Sequence, residues 1–132
     1  MCERCQIETD TVVHRLWDCE TLIDFLTIFT EKEAEWTNRR GKINLRDYLF
    51  GEQNEIGRNH FWLEIKLFIF YNWKSEENIV TTCNRFKNKL KNTIILEKQM
   101  VKGDLGYEQF VNKWKDFTEI YDFRGPDIFP FL

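Results

Sequence analysis

Cys2, Cys5, His14 and Cys19 stand within the first nineteen residues at the spacing C-x2-C-x8-H-x4-C. Three of the chain's four cysteines and one of its two histidines gather there. Three thiolates and one imidazole form a tetrahedral set of soft and borderline donors, the set that zinc takes. Two cysteines separated by two residues turn both thiolates toward one point. The four-residue gap between His14 and Cys19 suits a ligand pair spanning a helical turn and its exit. Nothing in the spacing marks a carboxylate or a spare ligand as an open coordination position, so the expected metal is structural rather than catalytic. Twenty residues cannot bury a core unaided, and ligation would supply much of the local folding free energy. The competing account is chance proximity or a pair of buried thiols.

The other residues with reactive side chains read as structural. Cys83 falls on an apolar helical face and is expected in the core. His60 opens an apolar run with no cysteine or serine partner at readable spacing, which suits a capping or core histidine. Glu64 and Lys66 match the acid-x-lysine fragment of restriction-like nucleases, but three residues specify little, and Pro126-Asp127 follows them in the wrong order. There is no glycine-rich phosphate loop and no G-x-S-x-G elbow. No constellation supplies both a nucleophile and a base, so the chain is not expected to be an enzyme.

Net charge is −3, which argues against attraction of the whole surface to a polyanion. The charge is uneven, however. Between Asn84 and Lys102 six basic residues face one acidic residue, a local balance of +5, whereas Glu20–Glu35 carries five acidic residues against Lys32, a balance of −4. Lys87, Lys91, Lys98 and Lys102 recur at helical spacing and are expected on one face opposite the apolar stripe. Such a row is either a solvated surface or a track for phosphates with salt-dependent, sequence-independent affinity. Arg39, Arg40 and Lys42 form a second basic patch.

The elements that must position these residues are helical nearly throughout. Asp10 or Thr11 is placed to cap a short helix through Val12, Val13, Leu16 and Trp17, which carries His14. Leu22, Phe25, Leu26 and Phe29 line one face of a second helix running to about Trp36. Asn38–Lys42 is a break, with Gly41 as a stop signal. Asn44 caps a turn of helix over Leu45–Phe50, ended by Gly51. Asn59–Trp73 is apolar on nearly all sides, which predicts a buried central helix. Ser75 or Glu76 opens an amphipathic helix over residues 77–101 with Ile79, Cys83, Phe86, Leu90 and Ile94 inward. Gly103 and Gly106 bracket a turn, and a last helix over 107–121 presents Tyr107, Phe110, Trp114, Phe117 and Tyr121. The tail from Arg124, with Gly125, Pro126 and Pro130, should be irregular.

The whole is expected to be all-α: a small N-terminal zinc knuckle of three cysteines and one histidine packed against a helical bundle. Two segments are read, 1–38 for the knuckle and its following helix and 39–132 for the helical remainder, forming one continuous module. At 132 residues and 42% apolar the chain is of ordinary single-domain size. No apolar run approaches the ~20 residues of a membrane span. No signal peptide is visible either, so a reducing, intracellular setting is expected, in which a cysteine–histidine cluster reads as a metal site rather than a disulfide frame.

Cys2–Cys19, with Glu8-Thr9 between the second cysteine and His14, resembles the zinc-binding region that follows the reverse transcriptase in LINE-type non-LTR retrotransposons. Leu49-Phe50-Gly51, Phe86–Leu90, Glu97-Lys98 and the Phe110, Trp114 pair look like later stretches of the same C-terminal region, so the resemblance covers most of the chain. One departure is Arg15 after His14, where the family has Leu or Phe. The resemblance implies Cys2, Cys5, His14 and Cys19 as ligands of structural zinc. It also implies contact with template RNA or target DNA during target-primed reverse transcription, beside upstream polymerase and endonuclease domains, within a nuclear or cytoplasmic ribonucleoprotein. The chain begins one residue before its first ligand, which reads as a detached C-terminal piece. The alternative function is a protein-interaction or purely structural zinc-stabilised module.

Overall fold

The computed structural model describes residues 1–125 and Asp127, and every regular element among them is helical. Five helices carry the fold: α1 (Ile23–Trp36), α2 (Leu45–Phe50), α3 (Ile56–Asn72), α4 (Ile79–Met100) and α5 (Gly103–Trp114). Two short turns precede them, a π-type turn over His14–Asp18 and a 3-10 turn over Glu20–Leu22. α4 packs against α1, α3 and α5, and α5 also touches α3.

Most elements follow from local chemistry. Leu22, Phe25, Leu26 and Phe29 recur at helical spacing and are buried, which seats α1 on the core. Asn44 caps α2 by accepting the Asp47 N–H at 2.8 Å, and Gly51 leaves it at φ +83°, where a side chain would be strained. The cap of α4 is Asn78, not Ser75 or Glu76: its side-chain oxygen accepts the Val80 N–H at 2.8 Å. The preceding residues close a turn of their own, with the Glu77 N–H donating to the Lys74 carbonyl at 3.1 Å.

The last helix differs from the periodicity-based expectation. It begins at Gly103, whose φ of +74° turns the chain out of α4, and ends at Trp114 rather than near Tyr121. Gly106 lies inside it. Phe117 and Tyr121 are buried as expected, but tight turns place them, with the Phe117 N–H on the Trp114 carbonyl at 2.9 Å and the Tyr121 N–H on the Phe117 carbonyl at 3.1 Å. Consecutive turns repeat every three to four residues, so they imitate a helical apolar pattern. Of the tail expected to be irregular, Pro126 and residues 128–132, including Pro130, lie outside the described residues.

Aromatic side chains fill the centre. Phe25 meets Phe29, Phe68 and Phe86 with ring centroids 5.0, 5.6 and 5.9 Å apart, and Phe61 meets Phe86 and Phe117 at 5.7 and 5.2 Å. Most of these are edge-on or offset contacts, which the ring quadrupole favours. Cys83 is buried among them, as its helical position predicts. His60 is half-buried, bonded to Glu64 at 3.1 Å and set against the Trp114 ring. Lys66 reaches the Tyr48 and Leu49 carbonyls, so Glu64 and Lys66 are both committed to structure.

Two features depart from the expected core. Glu33 is fully buried and bonds Arg58, itself almost completely buried, which also bonds Glu52 at 2.7 Å. More consequentially, α3 is not buried all round. Phe61, Trp62, Ile65, Phe68 and Ile69 face the core, whereas Ile56, Leu63, Leu67, Phe70 and Tyr71 are exposed. Its packing partners α4, α5 and the π-type turn leave the opposite side uncovered.

Candidate metal centre

The four ligand residues of the N-terminal cluster converge. Cys2, Cys5, His14 and Cys19 each aim one donor atom at a common point, all within 4.8 Å of one another. A loop brings the first pair together: the Cys2 N–H donates to the Glu8 carbonyl at 2.9 Å and the Gln6 N–H to the Cys2 carbonyl at 2.8 Å. Gln6 takes φ +57° to close that loop, a conformation uncommon for a residue other than glycine.

The second pair is set by the π-type turn. Thr11 opens it, its hydroxyl accepting the His14 N–H at 3.1 Å, while Asp10 is held by Arg15. The Cys19 N–H then donates to the His14 carbonyl at 3.0 Å, closing a five-residue step. An α-helix would turn residues five apart to different sides; the wider turn lets His14 and Cys19 face one point.

The distances suit a metal ion. Cys2 Sγ and Cys19 Sγ lie 3.9 Å apart, and Cys5 Sγ and His14 Nε2 lie 3.2 Å apart. Tetrahedral zinc with bonds of about 2.0–2.3 Å places its ligands roughly 3.3–3.8 Å from one another. Cys2, His14 and Cys19 are buried and Cys5 half-buried. The donors can therefore hold one ion, and three sulfurs with one imidazole nitrogen match zinc chemistry.

Neighbouring groups prepare these ligands. The His14 Nδ1 lies 2.8 Å from Asp18 Oδ1, which assigns the proton to Nδ1 and leaves the Nε2 lone pair facing the centre. The Thr21 hydroxyl sits 3.3 Å from Cys19 Sγ. Burial pushes the Cys2 thiol up, but the Cys5 and Arg4 backbone N–H groups outweigh it and bring the pKa down to about 6. The Glu8 and Ile7 backbone N–H groups likewise lower that of Cys5. Burial raises that of Cys19, the ligand least ready to ionise without a cation beside it. Asp18 and Thr21 escape the sequence reading. Only the carboxylate four residues after a histidine hints at the first, and it means something only once that histidine is a ligand.

The knuckle is joined to the bundle at Tyr48. The Tyr48 hydroxyl donates to the Leu16 carbonyl at 2.6 Å, and its ring lies between Trp17 at 4.6 Å and Trp62 at 5.5 Å. Burial keeps this hydroxyl protonated far above its usual range. Cys2 and Cys19 thus belong to the same buried cluster as Leu22, Tyr48 and Trp62.

The basic residues do not form one surface. Arg39 is committed to Glu55 at 2.9 Å and Glu52 at 3.4 Å, and Lys42 pairs with Glu31 at 3.3 Å; Arg40 is exposed. On α4, Lys87, Lys91 and Lys98 share one side, but at the edge of the packed face, half-buried, rather than opposite it. The exposed positions include Asn84, Asn88, Lys89 and Gln99. Lys98 bonds Asp127 at 3.2 Å, while Lys102 is exposed just beyond the helix.

No helix among the described residues is long and apolar enough to cross a membrane. Comparison of the chain with protein-family models, with curated proteins and with solved structures gave no match.

Proposed function

We propose that the chain is a zinc-stabilised helical module that binds RNA or DNA through phosphate contacts and carries no catalysis of its own. Its cysteine–histidine order supports this by resembling the zinc-binding region of LINE-type non-LTR elements. In that setting the polymerase and endonuclease chemistry would belong to upstream domains. The observation that carries the proposal is the lysine row of α4. Lys87 and Lys91 stand one turn apart on one side of a 22-residue helix, Lys89 is exposed on another side and Lys102 lies just beyond its end, and none of the four has a carboxylate within ion-pair distance among the described residues. A stiff helix presents such charges at fixed spacing to a phosphate backbone, and their release of condensed counterions drives association. Arg39, Lys42 and Lys98 join that contact only by giving up a carboxylate, so they contribute less than Arg40, Lys87, Lys91 and Lys102.

A protein-interaction module is the second reading, favoured by the exposed apolar face of α3. Salt titration of a fluorescent RNA hairpin separates the two. Affinity should fall linearly with salt on logarithmic axes. Lys87→Gln, Lys91→Gln and Lys102→Gln together should reduce the slope by about 2–3, near 0.7–0.9 per lost phosphate contact. Absence of binding at low salt, or an unchanged slope in the triple variant, rules the nucleic-acid reading out.

A further inference from the structure

α3 carries an apolar face that nothing in the described structure covers. At about 3.6 residues per turn, Ile56, Leu63, Leu67, Phe70 and Tyr71 fall on one side, a strip roughly 22 Å long at about 1.5 Å per residue. Phe50 stands at its edge, between Leu49, whose carbonyl accepts from Lys66, and Gly51, which packs on Asn59. These six side chains are 39–83% exposed. Taking ~200 Å² for each when fully exposed, they offer roughly 700 Å² of apolar surface. That exceeds what most soluble monomers leave in one patch.

We propose that this face is the interface of a homodimer, in which α3 packs antiparallel against α3 of a second copy. Four observations select a second copy. First, the area is what a dimer needs: a standard interface covers about 800 Å² on each partner. Second, the strip's own residues are uncharged, and charges flank it only at the C-terminal end, where Glu3, Arg4 and Arg15 line the same pocket as Phe70. Lys66 folds back onto the Tyr48 and Leu49 carbonyls and Glu64 bonds His60, so pairing two copies buries no unpaired charge. Third, the face is self-complementary in size. A two-fold axis near Leu63 sets the aliphatic end, Ile56, of each copy against the aromatic end, Phe70 and Tyr71, of the other, as an isologous contact requires. Fourth, no residue of the strip is a cation, whereas the proposed phosphate contact rests on the lysines of α4. The dimer therefore stands or falls separately from the lysine row of α4.

Sedimentation equilibrium of the zinc-loaded chain tests this. At about 100 µM the expected mass is twice 16.2 kDa, with reversion to 16.2 kDa on dilution. Leu67→Glu should remain at 16.2 kDa across that range while keeping the wild-type circular dichroism and zinc content. Tyr71→Lys, at the most exposed position on the strip itself, is the second variant if Leu67→Glu fails to fold. A wild-type chain monomeric at every concentration overturns the proposal. So does growth into larger species with no plateau at the dimer, or a dimer that survives folded Leu67→Glu or Tyr71→Lys.

Discussion

His14 can ligate through Nε2 only while its other ring nitrogen keeps the proton, and Asp18 holds that proton at 2.8 Å. Carboxylates in this role typically change metal affinity 10–100-fold. Asp18 is more than half exposed, so water partly replaces it and the effect belongs at the lower end. Asp18→Ala is expected to weaken zinc binding about 10-fold, measured by competition with a chelating dye; equal affinity in variant and wild type would sink the assignment. The ligands themselves were legible in the chain, because thiols and imidazoles declare their chemistry by type and spacing. Asp18 was not legible, because a carboxylate is common on any surface. The Glu33–Arg58 pair was less visible: Glu33 continues the stripe of Leu26 and Phe29 at helical spacing, unlike Glu31 and Glu35, but its partner Arg58 is 25 residues away and no local pattern names it.

At the scale of elements, α3 and α5 touch at one demanding point. A Cβ on Gly57 would overlap the Lys113 carbonyl oxygen, backbone that cannot rotate away. Helix propensity alone favours alanine over glycine by about 1 kcal/mol. Overpacking costs about 1–3 kcal/mol, so the net sign decides which effect governs the site. Gly57→Ala is expected to destabilise the protein by up to about 2 kcal/mol in urea unfolding; a stabilised variant would show that α5 lies further from α3. Helices were the most readable level of the sequence, since buried apolar side chains recur every three to four residues along α1, α3 and α4. Their ends were less so. α4 starts after its cap at Asn78 and α5 stops at Trp114, because capping and the onset of tight turns are decided by hydrogen bonds that periodicity does not register.

Across the whole molecule, the knuckle and the bundle share one core. Cys2 and Cys19 are buried in the same cluster as Tyr48, Trp62 and Phe86, so losing the ion should disturb more than the first twenty residues. Scanning calorimetry is expected to show one transition with zinc, shifted as a whole to lower temperature by a strong chelator, since metal ligation is coupled to folding. Two transitions, the upper one indifferent to chelation, would instead make the knuckle an independent unit.

What the chain determined by itself was its chemistry and its class. Donor type and spacing marked the metal ligands, and three-to-four-residue periodicity marked an all-α fold, because both are local properties written within a few residues. Which surfaces remain open was decided only in three dimensions. The run in α3 reads as apolar on every side, and burial on all sides is the economical expectation. The packing of α4, α5 and the knuckle covers one side alone and leaves Leu63, Leu67, Phe70 and Tyr71 exposed. The lysines of α4 were likewise expected opposite the core and sit at its edge, since the side a helix turns to water depends on how many neighbours it has. That number is set by residues far along the chain, which no local pattern contains.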